Sequence, residues 1–160
     1  MITGGVFSGG PSALSLQLSF VPGGTPLTIK LIGAHIEAQV TAANCMSGRL
    51  GGGITITDLN GSVIPGLASQ LDKQVTDHHC ADMPIPTTCT SADQSLLGFL
   101  DKMPKDGHIT ANEISDNTNL SFLFNSDVRL KDASGVEQPS VSIAIGFGCI
   151  KGVYTASSEH

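Results

Sequence analysis

The sequence predicts an α+β fold, an antiparallel sheet of about five strands with helices packed on one face. Three observations lead there. Several stretches alternate apolar and polar residues with period two. Between Leu59 and Val75 the apolar residues recur at four-residue steps instead, which marks a helix with one greasy face. The composition, 40% apolar but 4% aromatic and 14% charged, with 19 Gly and no Trp, suits a turn-rich β body better than a helical bundle.

The first strand is read from Ala13 to Phe20, where Leu14, Leu16 and Leu18 alternate with Ser15, Gln17 and Ser19. Pro22, Gly23 and Gly24 make a turn, and Leu27, Ile29 and Leu31 resume the alternation until Gly33 breaks it. It returns at Ala34, with Ile36, Ala38 and Val40 inward and His35, Glu37, Gln39 and Thr41 outward. A turn is expected over Asn44 to Gly48. Next comes a weaker strand, Arg49 to Ile56, whose Gly51, Gly52 and Gly53 suggest a bulge or a close neighbour. No GxxxxGK[ST] or dinucleotide pattern follows these glycines, so they are read as structural.

Thr57 or Asp58 can cap the helix that carries Leu59, Val63, Leu67, Leu71 and Val75. Pro65 lacks an N–H, so a kink or a restart is expected there. A second helix is predicted from Ser91 to Leu100, with Ser91 as its cap, and a short one from Asn119 to Phe124 that turns Leu120, Leu123 and Phe124 toward the core. Asp127 to Pro139 reads as a polar connector. The last strand, Val141 to Cys149 and on to Tyr154, alternates large residues with Ala144, Gly146 and Gly148; it is placed centrally, with a helix close to the small residues.

One stretch carries a pattern with a chemical mechanism. From Lys102 to Glu113 the chain has Gly107, Ile109 and Glu113 where an EF-hand calcium loop needs its bend, its apolar residue and its bidentate carboxylate. Asp106, the His108 carbonyl and Thr110 fit further ligand positions, but Lys102 and Pro104 stand where two carboxylates belong, and the nearest substitute, Asp101, comes one residue early. The candidate calcium ligands are therefore Asp101, Asp106, His108, Thr110 and Glu113, in a loop that is weak or vestigial. A lysine ammonium is expected to replace the ion in part. Thr110 and Glu113 also have capping-box spacing, which gives Glu113 work without any cation.

The even set of cysteines, Cys45, Cys80, Cys89 and Cys149, fits an oxidising compartment. The preferred pairing is Cys80 with Cys89 across a short irregular loop, leaving Cys45 with Cys149. The net charge of −6, with no basic cluster, argues against nucleic acid as a partner. No run of 18 apolar residues or charged, leader-like start is present, so neither a membrane span nor a signal peptide is read, and the chain is expected to be the mature part of an exported protein. Residues 1–12, rich in Gly, are read as a flexible tether, 13–155 as one α+β domain, and 156–160 as a tail or tag remnant.

The order of Ser/Leu strands, the Gly48-Arg49-Leu50-Gly51-Gly52-Gly53 strand, a Pro-containing helix and then Asp106-Gly-His-Ile-Thr-Ala-Asn-Glu113-Ile resembles the C-terminal domain of uncharacterised exported bacterial lipoproteins. The resemblance implies export and a calcium loop, and no reaction. The expected function is a non-catalytic structural or binding module of the cell envelope, acting on an envelope or extracellular partner, with no cofactor other than weak calcium. Its location would be secreted, periplasmic or on the outer surface, with a lipid anchor in the precursor as one form. The chain has no GxSxG, HExxH or other nucleophile pattern. The alternative is a metal-dependent hydrolase built on His35, His78, His79 and nearby carboxylates.

Overall fold

The computed structural model describes residues 2–21, 24–41, 45–102 and 104–148. They form a six-stranded antiparallel sheet in the order β1-β2-β3-β4-β6-β5. The strands are β1 (Ile2–Thr3), β2 (Val6–Leu18), β3 (Leu27–Val40), β4 (Cys45–Thr55), β5 (Val128–Lys131) and β6 (Glu137–Gly148). Helices α1 (Ile56–Asp58), α2 (Ile64–Asp77), α3 (Ser91–Leu100) and α4 (Ala111–Ser115) follow β4, and α+β is the class observed.

The alternation seen in the sequence sets the two faces. Leu16 and Leu18 of β2, Ile29, Leu31 and Ala34 of β3, Leu50 and Ile54 of β4 and Val141, Ile143 and Phe147 of β6 join one core. In-register pairs such as Leu16 with Ile29 and Leu50 with Ile145 keep them on the same face. Of the four-residue stripe, Leu59 and Val75 are buried on this face and Val63, Leu67 and Leu71 are half-buried against it, while Ile64 and Ala68, each one residue further on, are the fully buried positions between. The expected irregularity at Pro65 is a π-turn, Leu59–Val63, ending where the Ile64 N–H donates to the Leu59 carbonyl and Pro65 starts the regular helix. Gln70, only 6% exposed, ties α2 to the sheet: its amide donates to the Thr25 carbonyl at 2.8 Å and accepts the Phe20 N–H at 3.0 Å.

Several expectations are corrected. Residues 2–12 are not a tether, because β2 begins at Val6 and pairs with β3 through Val6–Gln39 and Gly9–Ile36. Backbone pairing with β3 organises this stretch, where glycines carry no side-chain alternation to read. The turn expected up to Gly48 is strand from Cys45 onward. The connector 127–139 contains β5 and the start of β6. Pro139 is tolerated within β6 because its register partner is Arg129 on β5, and β4 pairing begins only at Ser140. Ala144, Gly146 and Gly148 lie exposed on the face away from the helices instead of admitting one. Leu123 is half-exposed on a 3₁₀ turn, Ser121–Phe124, while Leu120 and Phe124 do reach the core. The strand continuation to Tyr154, the tail 156–160 and Cys149 with its pairing to Cys45 lie outside the described residues.

The face opposite the helices has a small packing centre of its own. Leu130 of β5 lies over Gly33, which adopts φ +58°, and over Gly53. A Cβ on Gly53 would sit 2.6 Å from Leu130 Cδ1 and 2.9 Å from Ser140 Cβ, and Ser140 is fully buried. Gly53 of β4 therefore admits the Leu130 side chain of β5 over the sheet. We expect Gly53→Ala to lower unfolding free energy by about 1–3 kcal/mol in urea titration, since Ser140 Cβ is fixed to the neighbouring strand; an unchanged midpoint would contradict this packing.

Candidate functional site

The helical half is built around carboxylates that accept hydrogen bonds from backbone N–H groups. Helix α3 is capped by Thr90, one residue earlier than the sequence suggests, because Asp93 completes a capping box with it. The Thr90 hydroxyl accepts the Asp93 N–H at 3.2 Å, and Asp93 Oδ2 accepts the Thr90 N–H at 3.0 Å and the Thr90 hydroxyl at 2.7 Å. Asp93 is 1% exposed. The Gln74 amide donates to its Oδ1, and His78 Nδ1 lies 2.8 Å from its Oδ2. The Thr90 hydroxyl, then His78 and Gln74, hold this carboxyl well below the usual carboxylate range, against the opposing effect of burial. The Cys80–Cys89 disulfide, with an S–S distance of 2.07 Å, closes the loop between α2 and α3 and is the pairing expected from the short spacing.

The EF-hand-like stretch runs from the end of α3 into α4. Asp101 is the C-cap of α3, and its Oδ2 accepts the Gly107 N–H at 3.0 Å. Gly107 takes φ +82° and lies so close to Ala81 that a Cβ there would collide with the Ala81 methyl; a turn of this kind needs glycine. Asp106 Oδ1 accepts the His108 N–H at 3.0 Å. Asp72, from α2, accepts the Ile109 N–H at 2.9 Å and lies 3.1 Å from His108 Nδ1, so the apolar loop position is buried and its N–H is satisfied from another helix.

Glu113 then closes the loop. Its Oε1 accepts the Lys102 N–H at 2.8 Å, while Oε2 accepts the Thr110 N–H and the Thr110 hydroxyl, each at 2.8 Å. The Thr110 hydroxyl accepts the Glu113 N–H at 3.3 Å, completing the capping box of α4. Burial pushes this carboxyl up, but the Lys102 and Thr110 N–H groups together outweigh it and hold it below its ordinary value.

Asp101 Oδ2 meets the Gly107 N–H, and its Oδ1 is buried with no hydrogen-bond partner among the described residues. The rest of the set does not converge. Among the described residues no three His, Cys, Asp or Glu side chains stand where they could hold one metal ion. Both Glu113 oxygens are engaged by the loop's own donors, so as arranged the residues do not fit a calcium ion. The Lys102 Nζ lies over the Phe99 ring, 5.7 Å from its centroid, and the backbone N–H of the same residue meets Glu113.

The histidines of the alternative reading are held apart. His35 Nε2 lies 3.2 Å from the Ser8 hydroxyl, His78 is tied to Asp93, and His79, at φ +56°, lies 3.4 Å from Asp82. Sequence reading misses Asp72, Asp93 and Gln74, whose roles depend on contacts between separate helices. Only the Thr90–Asp93 spacing could have flagged one of them. No family model, curated protein or solved structure matches the chain. No helix among the described residues is long and apolar enough to cross a membrane.

Because the Asp93 carboxyl is depressed in the folded state, the stability it contributes is present above its unfolded value of ~3.9 and is lost as pH falls below it. We expect unfolding free energy to drop between about pH 4 and pH 2, and Asp93→Asn to flatten that slope while costing about 2 kcal/mol at neutral pH. Denaturant titration at stepped pH checks both; an unaltered acid slope in the variant would contradict the assignment.

Proposed function

We propose that this chain is a non-catalytic structural or binding module of an exported bacterial cell-envelope protein, in which the EF-hand-like loop is vestigial, or weak for calcium, and serves as a connector between helices. The observation that carries this reading is the Glu113 carboxylate, whose two oxygens are both taken up by Lys102 and Thr110. A loop satisfied in this way keeps its bend without a cation. Any ion would have to displace those bonds before gaining Glu113 as a ligand, in a neighbourhood that already holds Lys102 and Lys105.

Export is supported by the Cys80–Cys89 disulfide, a bond of the kind that persists in oxidising compartments. The resemblance to exported lipoproteins points the same way and puts the partner at the envelope or outside the cell. The hydrolase reading has less support, since His35, His78 and His79 are engaged with separate partners.

Calorimetry on protein stripped with chelator tests the proposal. We expect no saturable heat up to millimolar calcium; a clear binding isotherm would overturn it. Glu113→Gln keeps one acceptor oxygen and loses the other, so we expect it to cost about 1–2 kcal/mol, equally with chelator and with calcium. A loss seen only in calcium would show an ion at work.

A further inference from the structure

Helix α3 and the disulfide-bounded loop before it line a cleft of about 280 Å³. On the helix it runs along Gln94, Leu97, Gly98 and Asp101, which share one face. Cys80 and Ile85 line it from the disulfide loop, and Lys105 from the loop after α3. Two features point to a ligand. Asp101 is 6% exposed, and its Oδ1 has no hydrogen-bond partner among the described residues, although Oδ2 meets the Gly107 N–H. Buried polar atoms are almost always satisfied, so an acceptor of this kind at a cleft calls for a donor from outside the chain. Gly98 is the second feature. Glycine weakens a helix interior, and a Cβ at this position would meet nothing within 4 Å, so packing does not require it. Its missing side chain keeps the cleft open.

We propose that this cleft binds a small zwitterion, an α-amino acid with an aliphatic side chain. The proposal rests on the binding-module reading above and gives it a ligand class. The ligand's ammonium supplies the donor that Asp101 Oδ1 lacks, with the opposite charge. Lys105 is exposed and forms no ion pair among the described residues, so its ammonium is open to the ligand's carboxylate. The Gln94 amide already donates to the Cys89 carbonyl at 3.3 Å. Leu97, Ile85 and the disulfide offer apolar surface to the side chain, over the gap that Gly98 leaves. Charge selects against simpler ligands: a plain amine brings its ammonium beside Lys105, and a plain carboxylate meets Asp101. A divalent metal ion is no better served by one carboxylate and a lysine. Drug-sized pockets run to about 300–1,000 Å³, so a cleft of this volume admits one small molecule.

Calorimetry of the intact chain with L-leucine as the probe tests this, beside isoamylamine, which lacks the carboxylate, and 4-methylpentanoate, which lacks the ammonium. All three titrations are run in chelator, so their outcome is separate from that of the calcium titration. We expect leucine to saturate the protein and each analogue to bind roughly tenfold more weakly. Lys105→Ala is expected to weaken leucine about tenfold while isoamylamine binds no worse, a split that a general loss of structure does not produce. Gly98→Leu fills the cleft from an exposed helix position with a better helix former, and we expect it to fold and to bind no leucine. No saturable heat with leucine, analogues that bind as well as leucine, or undiminished binding in Gly98→Leu would each overturn the proposal. Should Gly98→Leu fail to fold, the comparison of leucine with isoamylamine in Lys105→Ala decides: equal losses for both refute the site.

Discussion

Carboxylates that accept backbone N–H bonds hold the helical half of this protein together. Asp93 takes the N–H of Thr90, Asp101 that of Gly107, Asp72 that of Ile109, and Glu113 those of Lys102 and Thr110. Each of these donors sits at a tight turn or a helix start, where the backbone has no intrahelical partner. A charged acceptor at such a place gives a hydrogen bond stronger than a neutral one. The effect on the carboxyls is visible in turn, since Asp93 and Glu113 are both held below their ordinary values.

These bonds also link elements distant in sequence. Asp72 belongs to α2 and Asp93 to α3, and Gln74 and His78 at the end of α2 converge on Asp93. The disulfide draws Ala81 against Gly107, and Asn117, almost fully buried, donates to the Phe99 carbonyl. The sheet supplies an apolar face, and Gln70 fixes α2 to the turn between β2 and β3. Burial of leucine and isoleucine drives the layers together without specifying their offset. The directional bonds of Gln70 fix α2 on the sheet, and those of Asp72 and Asp93 fix the helices and the loop against one another.

Much of this is legible in the sequence, where local chemistry decides it. Alternation at 13–18 and 27–40 marks strands, the stripe from Leu59 to Val75 marks the buried helix face, and Thr110 with Glu113 marks a capping box. Elsewhere the deciding partner is distant. Val6 to Gly10 is strand because β3 is there to pair with it, and its glycines leave no side-chain pattern. Asp72 looks like any exposed helix residue until Ile109 arrives beside it. The candidate site is legible as a loop but not in its chemistry: Lys102 suggests an ammonium in place of an ion, whereas its backbone N–H is the group that meets Glu113. A side-chain pattern records residue types and says little about which backbone donors a turn will leave open.

The most direct measurement is amide hydrogen exchange, followed residue by residue at Lys102, Gly107 and Ile109 in protein freed of divalent cations. If side-chain carboxylates hold the loop, these three amides exchange slowly in the presence of chelator, and calcium leaves their rates unchanged. Rapid exchange that slows only when calcium is added would show that the loop still depends on an ion, and would contradict a helical half held together by its own carboxylates.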